Sequence, residues 1–164
     1  MVKSKDTRTR LSVLEHSART AVTAVASLLA ARLLRLPEAY WAPITTLVIT
    51  QSTLGAAFSV SWRRLVGTAV GALVGALVAS VFPPNVFVFG ATVLILGPLC
   101  VLLRADRSAY RFGGVTLSIV LLIPRANPPW QAALHRFAEV SIGIAVALVF
   151  TLVWPEGEDP VPGK

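Results

Sequence analysis

The chain has little with which to do covalent chemistry. In 164 residues it carries one cysteine, Cys100, and two histidines, His16 and His135. A lone thiol inside an apolar run makes no intrachain disulfide and no metal cluster, and reads as a small buried hydrophobe. The histidines stand at opposite ends of the chain, with no metal-ligand spacing, phosphate-binding glycine loop or serine elbow near them. The expectation is no enzyme, no catalytic residue, no metal and no cofactor. Charge is scarce as well, at 14% of residues, against about 25% in soluble domains. Acids are the scarcest: only Glu38, Asp106 and Glu139 fall between Ala18 and Pro155.

What is abundant is apolar surface. Hydrophobic residues make up 55% of the chain, and the mean hydropathy is +0.71. A water-soluble globule of this length could not hide that much, because small domains keep a large surface-to-volume ratio. Intrinsic disorder is excluded on the same ground. A formal charge of +7 raises nucleic acid as a partner, but no basic run or stripe appears beyond the first ten residues. The arginines sit instead in small groups between apolar stretches, so no nucleic acid is expected and the lipid bilayer is the partner.

Six apolar stretches can be marked: Ala18–Leu34, Trp41–Ser59, Leu65–Phe82, Val86–Leu103, Tyr110–Ile123 and Phe137–Trp154. Five reach the length of about 17–25 residues that a spanning helix needs; the fifth is short. They do not alternate as barrel strands do. With no water to satisfy backbone groups, continuous helices remain. The expected fold is all-α, a polytopic membrane bundle of six transmembrane helices. Residues 1–17 form a cytoplasmic lead-in, residues 18–154 the transmembrane domain, and residues 155–164 a disordered cytoplasmic tail. Ala18–Leu34 reads as an uncleaved helix rather than a signal peptide, because its polar leader is long and Arg32 and Arg35 follow directly.

Counting Lys and Arg by side places eleven with the two termini and four opposite them. Positive charge stays cytoplasmic, so both termini are expected inside. On that topology Arg63 and Arg64 lie at the inner face, while Arg136 and Glu139 lie at the outer face. Every Trp and Tyr then falls at a membrane interface, where an amphipathic ring is most stable.

Five patterns carry candidate sites. Thr46, Thr50 and Thr53 share one face of the second stretch, beside Gln51. A polar helix containing a proline, here Pro43, is what transporters use to present hydroxyls and carbonyls to a substrate; interhelical hydrogen bonding is the other reading. A matching stripe, Thr20, Thr23 and Ser27, lies on the first stretch, where back-bonding to the helix carbonyls explains it equally. The inner arginines, Arg19, Arg63 and Arg64 among them, would draw anions to a cytoplasmic mouth or would serve only to set topology. Gly67, Gly71 and Gly75 form a groove for close helix contact, within the bundle or between subunits. Glu139, placed in the first turn of the last helix, is a proton-coupling candidate; a structural pair with Arg136 or Arg32 is the other reading.

The order of several short pieces carries a resemblance. Tyr40-Trp41-Ala42-Pro43-Ile44-Thr45, then Gln51-Ser52-Thr53-Leu54-Gly55-Ala56, then Arg64-Leu65-Val66-Gly67-Thr68-Ala69-Val70-Gly71-Ala72 resemble the fusaric-acid-resistance-like integral membrane proteins, which are related to the aromatic acid exporters. Ala109-Tyr110-Arg111, then Arg136, Glu139 and Gly143, then Trp154-Pro155 extend the likeness from about Arg19 to Pro155. The resemblance implies a multi-pass unit of the inner, or plasma, membrane. It implies export of aromatic or other organic carboxylates, so that a small organic anion is the expected substrate. Many members carry two such membrane halves plus soluble domains. The sequence holds one half, from which a homo-oligomer is expected. The alternative is a non-transporting scaffold subunit of a larger complex.

Overall fold

The computed structural model describes residues 2–50, 54–103, 105–123 and 127–154, with side chains from Val13 onward. Six helices are found, and no strand is present among the described residues: α1 (Val2–Leu33), α2 (Trp41–Ile49), α3 (Leu54–Val81), α4 (Val86–Leu102), α5 (Arg107–Leu122) and α6 (Pro129–Val153). Their ends follow local chemistry. Pro83 and Pro84 stop the chain after α3, and Asn85 caps α4 by accepting from Val88 N at 2.8 Å. Pro129 opens α6, where a missing amide proton costs nothing. Arg35 takes φ 54° just past α1, and Leu36 N reaches back to Ala31 O at 3.1 Å. This is a left-handed helix stop of the kind usually given to glycine.

The six apolar stretches become six helices but not six equal spans. α1 runs without a break from Val2, so the lead-in and the first stretch share one helix. Trp41–Ser59 divides: α2 ends at Ile49, and α3 begins at Leu54. At about 1.5 Å per residue the nine residues of α2 reach about 14 Å, less than half of a hydrocarbon core. α3 and α6, with 28 and 25 residues, are each long and apolar enough to cross. α4 is apolar over 17 residues.

The packing gives each helix a direction. Ala72 of α3 packs with Ala133 of α6, while Ala57 packs with Val140, Ile144 and Ala147; the two long helices are therefore antiparallel. Gly67, Gly71 and Gly75 face Ala109, Gly113 and Leu117 in turn, so α5 runs parallel to α3 in the most extensive helix contact of the bundle. α2 runs parallel to α6, with Glu38 beside Glu139 and Thr46 beside Gly143. α1 returns antiparallel to α6, from Glu15 beside Trp154 and Arg19 beside Thr151. The described start of α1's side chains and the end of α6 thus share one end of the bundle.

Burial is inverted relative to a water-soluble protein. Arg19, Arg136 and Glu139 are 2% exposed or less, while Leu73, Leu77, Phe87, Leu94 and Val153 are 60% exposed or more. In water, charged side chains are almost never fully buried, and an apolar surface this continuous would aggregate. In lipid the same distribution is the stable one, since polar groups need partners inside the bundle and leucine meets its own kind outside. The fold is a membrane helical bundle.

Candidate functional site

The charge inside the bundle converges on one place. Arg64 is the eleventh residue of α3's 28, and Glu139 is the eleventh of α6's 25. Both therefore sit well within their helices. With Trp41 and Ile44 of α2 and Phe112 and Thr116 of α5, Arg64 and Arg136 line a cavity of about 150 Å³. The expected placement of Arg64 and Arg136 at opposite membrane faces is corrected by this shared cavity. The reason is the position of two helix starts. α3 begins ten residues before Arg64, and α6 begins ten residues before Glu139, not at Phe137. Glu139 accordingly lies in the third turn and is fully buried, rather than in a first turn near the surface.

The two arginines have different partners. Arg136 Nη1 donates to Glu139 Oε2 at 3.3 Å, and its guanidinium lies over the Trp41 ring at 3.7 Å. Glu139 Oε1 also accepts from Glu38 N at 3.1 Å, and Glu38 Oε2 accepts from Trp41 Nε1 at 3.1 Å. Arg136 and its carboxylate are thus tied to the loop before α2. Arg32, the other partner considered for Glu139, is exposed. Arg64 is 7% exposed. Its Nη2 donates to Thr45 Oγ1 at 3.0 Å, and its guanidinium lies over the Phe112 ring at 4.9 Å. Among the described residues it has no carboxylate partner, and its Nε has no hydrogen bond. A hydroxyl and a ring face hold a cation in place but do not neutralise it. The cavity therefore carries an uncompensated positive charge in a low-dielectric setting. That is the electrostatic requirement of an anion-binding site.

The other site residues expected from sequence are dispersed. Arg63 is half-exposed and pairs with Asp106 at 2.7 Å. Arg19 is buried against Thr151, at 3.3 Å, on the far side of the α1–α6 contact. The inner arginines are therefore not one cluster. Thr46 Oγ1 donates to carbonyls of Ala42 and Gly143, each at 3.1 Å, tying α2 to α6. Thr50 bonds back to Thr46 O at 2.8 Å. Gln51 and Thr53 lie outside the described residues, as does Arg104. Thr23 and Ser27 bond back to the carbonyls of Arg19 and Ala24. Gly67, Gly71 and Gly75 face α5 of the same chain, so this stripe serves packing within one bundle. Because the Arg63–Asp106 pair is open to water, it contributes about 0.5 kcal/mol at most. Arg63→Gln is expected to leave the melting temperature in detergent unchanged within about 1 °C, read by circular dichroism.

Sequence reasoning missed Arg136 as a cavity residue, and missed Trp41 and Phe112 as platforms for the two guanidiniums. A signal was present. Arginine followed seven positions later by glycine occurs at Arg64–Gly71 and Arg136–Gly143, and also at Arg107–Gly114, which does not line the cavity, so the spacing alone does not single out the pair.

Comparison with known proteins agrees with the membrane architecture. The chain is 28% identical over 149 residues to Inner membrane protein YeeA of Escherichia coli (strain K12), covering 86% of this chain and 41% of that protein. It is 25% identical over 161 residues to Uncharacterized transporter YdhK of the same strain, covering 93% of this chain and 24% of that protein. The chain thus spans less than half the length of these curated relatives. No solved structure matches it. The profile of the fusaric acid resistance protein-like family matches residues 24–150. With buried charge, a lipid-compatible surface and a match over most of its length, the chain belongs to the fusaric acid resistance protein-like family of multi-pass membrane proteins.

Proposed function

We propose that this chain is the membrane unit of an inner-membrane transporter that exports small organic carboxylates, working as a homo-oligomer with both termini in the cytoplasm. Residues 18–154 are its transmembrane domain, and residues 1–17 and 155–164 flank it on the cytoplasmic side. One observation carries the reading: Arg64 is buried, has no carboxylate partner among the described residues and opens on a cavity between α2, α3, α5 and α6. A carboxylate would complete its charge, and the Trp41 and Phe112 rings beside it offer apolar surface to the rest of such a ligand. The name of the second relative, a transporter, supports the same class.

Proteoliposomes loaded with a panel of labelled aromatic and aliphatic carboxylates test the proposal. Saturable, protein-dependent flux of at least one acid is the expected result. Folded protein that moves none of them and binds none of them overturns it. That outcome would select a non-transporting subunit of a larger complex. Proton coupling through Glu139 is part of the proposal, and a Glu139→Gln variant whose flux keeps its pH dependence removes that part.

A further inference from the structure

The two arginines are related by more than proximity. α3 and α6 are antiparallel neighbours, α5 lies parallel on α3, and α2 lies parallel on α6. Gly71 of α3 meets Gly113 of α5, and Gly143 of α6 meets Ala42 and Thr45 of α2. Arg64 lies over Phe112, and Arg136 lies over Trp41. The sequence intervals agree: Arg64 to Arg136 and Gly71 to Gly143 are each 72 positions, while Trp41 to Phe112, Ala42 to Gly113 and Thr45 to Thr116 are each 71. Two inverted three-helix repeats, α1–α3 and α4–α6, produce this exchange of partners. Each repeat lends its arginine to an aromatic ring of the other, and the cavity forms at their interface, where inverted-repeat transporters hold substrate.

One position breaks the symmetry where charge is decided. The counterpart of Glu139, 72 positions earlier, is Gly67. The first repeat therefore brings an arginine with no carboxylate three residues beyond it on its own helix, and the second brings an arginine with its own. We propose that Glu139 is a specificity-determining residue: it is the resident carboxylate of a two-arginine site, and it restricts the cavity to singly charged anions. The inference rests on the anion reading of Arg64. Two guanidiniums can compensate two carboxylates, and Glu139, fully buried, already supplies one of them; Glu38, beside it on the loop before α2, is only half-buried, so solvent screens its charge. A monoanion on Arg64 leaves the cavity neutral. A dianion leaves one negative charge desolvated without a partner, which low-dielectric surroundings strongly oppose.

Full-length protein in lipid nanodiscs, titrated calorimetrically at pH 7.5 with benzoate and with phthalate, tests this. Wild type is expected to bind benzoate at least tenfold tighter than phthalate. Glu139→Gln is expected to reverse that order. Arg136→Gln, which leaves Glu139 uncompensated, is expected to weaken benzoate at least tenfold, and the double variant Glu139→Gln/Arg136→Gln to restore it. If Glu139→Gln does not fold, this second comparison carries the test. A benzoate-to-phthalate ratio unchanged by Glu139→Gln, or benzoate binding unchanged by Arg136→Gln, overturns the charge rule; the anion site stands if Arg64→Met still abolishes binding. Helical wild-type protein that binds neither acid overturns both.

Discussion

Arg64→Met protein should fold at least as well as the wild type and lose at least about 100-fold in carboxylate affinity. The two halves of this expectation come from the same fact. A buried cation without a counter-charge opposes folding, because its hydration is lost and no ion pair replaces it. Among the described residues Arg64 keeps only the Thr45 hydroxyl and the Phe112 ring face. Methionine fills similar length beside that ring without a charge to desolvate, so thermal unfolding in detergent should shift upward or stay level. The ligand has the opposite interest. Its carboxylate would gain a charge-assisted, two-pronged contact that no other described group in the cavity offers, since Arg136 is held by Glu139. Stability and function therefore part company at one residue. A guanidinium that were merely structural would behave otherwise: its loss would lower the melting temperature and leave affinity for any acid untouched. Measuring both quantities on one preparation separates the two cases.

How this site came to be hidden in the sequence is a matter of where charge is assumed to sit. Hydropathy marks apolar runs and treats arginines as their ends. That rule holds for the start of α4 at Val86, because Pro83-Pro84-Asn85 separates the two apolar runs and bounds both helices. It failed at Arg64 and Arg136, which lie inside helices that continue past them. Trp130 to Arg136 holds polar residues enough to read as loop, yet Pro129 is a good first helical residue and the helix starts there. In the other direction, Thr50 to Thr53 reads as the polar face of one helix, whereas the chain leaves helical geometry at Thr50, with ψ 109°. Local pattern cannot tell a polar face from a break, nor an anchored end from a buried pair. Partners distant in sequence decide both: Thr45 and Phe112 for Arg64, Trp41 and Glu139 for Arg136. The glycine stripe was legible as close contact. Which helix it contacts was not, since Ala109 and Gly113 carry no periodic signal that names α3.

That contact underlies the second large effect. Gly71→Leu should abolish recovery of monodisperse protein, with a destabilisation of about 3 kcal/mol or more. A Cβ at Gly71 would meet the backbone of Gly113, and one at Gly67 the carbonyl of Ala109. A side chain in the way can rotate, but a helix backbone cannot, so α3 and α5 must separate. In lipid no hydrophobic drive would hold them once their close packing is lost. Separation also draws Arg64 away from Phe112, so that fold and site fail together. The remaining glycines provide graded controls. At Gly75 an added Cβ meets the Val120 side chain at 3.2 Å, so Gly75→Ala should be tolerated with a small loss. At Gly114, in the interior of α5, nothing lies within 4 Å. Gly114→Ala should raise stability by about 0.5–1 kcal/mol, because alanine loses less conformational freedom on entering a helix. Thermal unfolding of the three variants in one detergent tests the order Gly114→Ala, then Gly75→Ala, then Gly71→Leu. Equal effects at Gly71 and Gly114 would mean that these glycines act through helix propensity alone, and that the α3–α5 seam is not where the bundle is held.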